Sequence, residues 1–174
     1  MQNKKYSILI AVGFVFIILL IIFFSTQNNP DGFSMESREL ILNKLSKVND
    51  NAHISYEIKI DDYIVSGYNC SDNKHGLAIF VPQGNGKYKL QTSYLREKDE
   101  LVHGNVIINQ KIYDLFWANK ADLDYAEITY IFTNNSKETM KLDATDNKII
   151  YNEAPSNNYT VEYVFIDTNG IRYE

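Results

Sequence analysis

The chain has 174 residues and a net charge of −5, and its 13 Tyr, 9 Phe and 45% apolar content exclude a disordered polymer. Lys4 and Lys5 are the only charges before residue 25, so the rest carries 15 basic and 22 acidic side chains. Only Arg38, Arg96 and Arg172 are arginines, which leaves no phosphate-binding footprint and argues against nucleic acid as a partner.

Residues 1–5 read as a short cytoplasmic tail. From Ile8 to Phe24 the sequence is apolar at every position but Gly13. With Tyr6 and Ser7 the segment 6–24 reaches the length of a transmembrane helix, in contact with membrane lipid. Lys4 and Lys5 precede it and no base follows until Arg38, which places the N-terminus in the cytoplasm and the C-terminus outside. A cleaved signal peptide is the rival reading. Its apolar core is shorter and ends in small residues, whereas this run ends in Phe23 and Phe24. The segment is therefore read as a signal anchor in the cell membrane.

Residues 25–33 form a polar spacer with Pro30 and Gly32. An extracytoplasmic domain is expected over 34–174. It opens with one packed helix over about 35–48, where Met35, Leu42, Leu45 and Val48 recur at helical spacing, widened by Leu40 and Ile41. Ser34 is the expected N-cap, with Phe33 before it as half of a hydrophobic staple.

The period then changes to two. Ile54, Tyr56, Ile58 and Ile60 alternate with polar residues, and Asp61-Asp62 is a turn. Strand patterns follow at Tyr63–Tyr68, Leu77–Val81, Tyr88–Tyr94, Val102–Ile108, Ile112–Trp117, Tyr125–Thr133, Lys148–Tyr151, Tyr159–Phe165 and Ile171–Tyr173. Ile112–Trp117 is apolar on both faces and reads as a central strand. Gly84-Asn85-Gly86 and Asn169-Gly170 are hairpin turns, because Gly and Asn take positive φ at little cost. No second helical pattern supplies crossovers. The expected class is mainly β: a transmembrane helix, a short packed helix, then an antiparallel β-sandwich or barrel-like domain.

Chemistry-bearing patterns are sparse. His53, His75 and His103 show no ligand spacing, and Cys70 lacks a second cysteine. Cys70 and His75 stand close enough in sequence to form a thiol–imidazole pair. Asp122 and Asp124 are the best metal candidates, as two carboxylates near a strand end suited to a hard cation. Neither a G-x-S-x-G nucleophile motif nor a dinucleotide fingerprint is present. Aromatics gather between Tyr113 and Tyr130, and Trp117, Tyr113 and Tyr125 are the candidate binding residues. No cofactor is expected. The expected function is a binding or accessory module that contacts a membrane or envelope protein. The alternatives are an envelope hydrolase using paired carboxylates and a metal-dependent sensor or carrier.

Overall fold

A computed structural model describes residues 30–45 and 51–174. The tail 1–5, the expected transmembrane segment 6–24, spacer residues 25–29 and the expected last helical turn 46–48 lie outside the described residues. Among the described residues no helix is long and apolar enough to cross a membrane.

The described chain is mainly β, with antiparallel sheets and one short helix. Helix α1 spans Met35–Leu45. Eleven strands follow: β1 His53–Ile60, β2 Tyr63–Asn69, β3 Lys74–Gly84, β4 Lys87–Glu97, β5 Val102–Ile108, β6 Lys111–Trp117, β7 Leu123–Phe132, β8 Lys137–Asp143, β9 Ile150–Glu153, β10 Tyr159–Asp167 and β11 Arg172–Tyr173. They form three sheets, with strand orders β1-β2-β3-β4, β5-β6-β9 and β11-β10-β7-β8.

Tight turns set this order, and their residues explain the Asn and Asp content. Asp61, Asn73, Asn85, Asn109, Asp122 and Asn135 all sit at positive φ in the connections between consecutive strands. The expected turns at 61–62, 84–86 and 169–170 are present. Strand β8 carries no clear alternation (KETMKLD) and was not expected; it is an exposed edge strand.

Ser34 caps α1 as expected, its Oγ accepting the Ser37 N–H at 3.2 Å. The staple does not form: Phe33 is 68% exposed and its ring lies beside Gly86 in the β3–β4 turn. The reason is that the first turn docks through charge. Arg38 is buried and donates from Nε and Nη2 to Glu57 on β1, at 2.9 and 2.5 Å. Its Nη1 donates to the Gly32 carbonyl at 2.7 Å, and Ser66 Oγ completes the pair by donating to Glu57. Ile41 and Leu42 then pack on Ile54, Tyr68, Ala78 and Phe80, whereas Met35 and Leu40 stay exposed.

The opposite face of the first sheet meets the second sheet. Val65, Leu77 and Ile79 join Val102, Val106, Ile108, Leu115 and Trp117 in one apolar layer. Because side chains alternate along a strand, β6 sends Leu115 and Trp117 into this layer and Phe116 into another. That second layer joins the second sheet to the third, where Ala126, Ile128, Tyr130 and Phe165 enclose Phe116 and Ile150. Strand β6 is thus covered on both faces, as its composition predicts.

Candidate functional site

The second layer is not apolar throughout. Residue 114 lies on the same face of β6 as Phe116, and it is a fully buried aspartate. Pairing sets its neighbours: Asn105 on β5 and Asn152 on β9 lie directly opposite it across the sheet. Its carboxylate is served by two donors. His103 Nε2 donates to Oδ1 at 3.1 Å, and the Tyr159 hydroxyl, from β10 in the third sheet, donates to Oδ2 at 2.7 Å. Tyr130 joins through its ring, edge-on to Tyr159 at 5.1 Å, and its hydroxyl accepts from Asn152 Nδ2 at 3.3 Å. One carboxylate therefore ties two sheets together.

The imidazole of His103 is stacked on Phe116 at 4.9 Å and tilted against Tyr163 at 5.4 Å. Its side chain keeps 25% of its surface exposed. Asp114 fixes the ring, and Nδ1 makes no hydrogen bond among the described residues. Both tyrosines resist ionisation. Burial is the main cause for Tyr159, reinforced by its bond to Asp114 and by that carboxylate's charge, and the hydroxyl titrates well above its ordinary range. Burial likewise pushes Tyr130 up to about 12. The cluster can thus position a proton acceptor at His103, but Tyr159 is a donor and, among the described residues, no Ser, Thr or Cys bonds to the imidazole.

The residues singled out from the sequence are not brought together. Trp117 is fully buried against Gly67, where an added Cβ would lie 2.8 Å from the indole. Its ring presents no surface to a partner. Tyr113 is half-buried against the same layer and 6.3 Å from the exposed Tyr151. Tyr125 is on β7, with the Lys141 ammonium 4.3 Å above its ring. Asp122 and Asp124 are exposed, and among the described residues no three potential ligands gather around a point.

Cys70 and His75 do not pair. Cys70 packs with Tyr68 on the helix side of the first sheet, whereas His75 lies 5.4 Å from Trp117 on the other side. His75 is fully buried. Its Nε2 is 2.7 Å from the Glu100 carbonyl, and Nδ1 has no partner. Burial lowers its pKa, partly opposed by that carbonyl bond. Ser71-Asp72-Asn73-Lys74 spells S-x-x-K. It spans the β2–β3 turn, where Lys74 pairs with Asp72.

Sequence reasoning missed the Asp114 cluster because its members are 11 and 45 residues apart. The one available signal was an aspartate inside an otherwise apolar central strand, which calls for buried partners. No family model, curated protein or solved structure matches the chain.

Proposed function

We propose that the chain is a single-pass membrane protein that presents a β-sandwich binding or accessory module to a membrane or envelope protein. Segment 6–24 spans the cell membrane, residues 1–5 stay in the cytoplasm and residues 34–174 lie outside. The positive charges before the apolar run and their absence after it support this topology. Three sheets with free edges and shared apolar layers favour the sandwich over a closed barrel, which has no edges.

The observation that carries the binding role is how the polar core groups are used. Asp114 and Tyr159 are consumed in joining two sheets, and the described hollows are open grooves of about 290 to 460 Å³. Such a molecule recognises partners through surfaces and edges, and tethering to the membrane lets a weak contact suffice. The test is crosslinking of the full-length protein in its native membrane. A thiol reagent that cannot cross membranes is applied to a Cys70→Ser, Ser136→Cys variant in parallel. Capture of one defined membrane or envelope protein, with labelling from outside, supports the proposal. A chain that is recovered alone, or is labelled only after lysis, ends it.

A second reading, an envelope hydrolase, is favoured by the aspartate-oriented His103 with its open Nδ1. There His103 is the general base and water the nucleophile. Turnover of envelope substrates that survives His103→Ala removes this reading.

A further inference from the structure

We propose that the open edge of β10 takes up an extended peptide strand with basic side chains, supplied by a partner protein. The proposal rests on the binding-module reading and names its site and partner chemistry. Strand β10 has nine residues, but β11 pairs only with Phe165 and Ile166. From Tyr159 to Val164 it has β7 on one side and, among the described residues, no strand on the other.

Alternation shows which groups face the gap. Asp167 N–H donates towards β11, to the Ile171 carbonyl at 3.0 Å, and Thr168 N–H points the other way, to Asp122 on the β7 side. Counting back by twos, Phe165 meets Tyr173 of β11, and Tyr163 and Val161 aim their N–H and C=O groups into the open edge. Among the described residues these backbone groups have no recorded partner.

Three other edges carry guards. The start of β1 is closed by α1, whose Glu39 and Asn43 side chains accept the Ile54 and Ala52 N–H groups at 2.8 and 2.7 Å. On β5 the Tyr94 hydroxyl donates to the Asn105 carbonyl at 3.1 Å and accepts its N–H at 3.3 Å. Strand β8 carries Lys137, Glu138 and Lys141, charges that blunt an edge. The free stretch of β10, Thr160-Val161-Glu162-Tyr163-Val164, contains no Pro, Gly or Lys; it has four strong strand formers and a single charge, Glu162.

A groove of about 390 Å³ opens on the face of this sheet, lined by Glu127 and Thr129 of β7, Glu162, Tyr163 and Val164 of β10, and Arg172 and Glu174. Arg172 is already shared between Glu127 and Glu174, at 3.6 and 3.7 Å. Glu162 has no cation beside it among the described residues. An incoming strand that pairs with Tyr163 and Val161 therefore meets a lone carboxylate, which selects Lys or Arg at that position. This is strand addition, with backbone bonds for affinity and a charge for specificity.

The test uses the full-length chain in detergent micelles and a synthetic heptapeptide alternating lysine with valine, beside its glutamate counterpart. Hydrogen exchange at the Val161 and Tyr163 amides and peptide anisotropy are read. The lysine peptide should slow both amides about tenfold or more, and the glutamate peptide should not bind. Val161→Pro removes only an outward N–H and should weaken binding roughly tenfold. Glu162→Lys, a surface change that leaves the backbone intact, should do the same if the proline variant fails to fold. Binding unchanged in Glu162→Lys, or equal for both peptides, overturns the proposal. So does protection of the two amides in the chain alone that grows with protein concentration, since the occupant is then a second copy. If neither peptide binds while crosslinking captures a partner, the edge is wrong and the binding module stands.

Discussion

Strand β6 faces two layers built on opposite plans. Towards the first sheet it sends Leu115 and Trp117 into a layer whose buried members are Ile, Val, Leu and Trp. Towards the third sheet it sends Asp114 and Phe116, and there a carboxylate crosses the layer to two donors. Apolar contacts are non-directional, so the first layer resists separation without dictating which atoms touch. A buried carboxylate is satisfied in one arrangement only, so the second layer fixes the register between sheets at the cost of desolvation. The contrast lies between adhesion and specification, and each layer predicts a different response to mutation.

The largest effect belongs to the first layer. Trp117→Ala empties a site enclosed by Gly67 and the His75 ring and should cost roughly 3–5 kcal/mol of unfolding free energy. Urea denaturation followed by circular dichroism measures it, since the variant has no tryptophan left to report. A loss below about 1 kcal/mol would show that this layer is not the main source of stability. In the second layer Asp114→Ala strands the Tyr159 hydroxyl and the Nε2–H of His103, which costs roughly 2–3 kcal/mol. Replacing the set with Asp114→Leu, His103→Leu and Tyr159→Phe should recover most of that loss, because the two groups that donate to the carboxylate leave with it. If the triple variant is as unstable as the single one, the cluster adheres rather than specifies.

How far each layer could be read from the sequence follows the same division. The period-two pattern over Tyr56–Ile60 and the doubly apolar Ile112–Trp117 were legible from hydropathy, whereas Ile54, expected on the face of Tyr56, Ile58 and Ile60, is turned to the helix side by a bulge between Ile54 and Tyr56. Turns were legible where Gly or Asn must take positive φ, as at Asn85-Gly86. Strand β8 was not, since an exposed edge needs no apolar alternation. Trp117 was singled out as a binding residue and is core, because an aromatic run cannot show which rings the next sheet will cover. His103 and Asp114 showed nothing together, because what joins them is strand register. The docking of α1 through Arg38 and Glu57, 19 residues apart, was hidden for the same reason.

The smallest effect tests a histidine buried beside the apolar layer. His75 is enclosed beside Trp117, and its Nδ1 has no acceptor to receive a proton. Burial therefore favours the neutral ring, and the folded pKa lies below the ordinary 6.5. Above 6.5 both folded and unfolded chains hold the ring neutral and its contribution is complete. As pH falls, the unfolded chain binds the proton first, so stability is lost between 6.5 and the lower folded value, then levels off. One proton gives at most about 1.4 kcal/mol per pH unit. Unfolding free energy measured in small steps from about pH 7 downwards should show this slope before the carboxylates begin to protonate. In His75→Gln, which can still donate to the Glu100 carbonyl, the slope near pH 6 should shrink by up to one proton's worth. A variant with the parent slope would show that another group takes up the proton. The pH-sensitive element would then lie outside the layer that adheres.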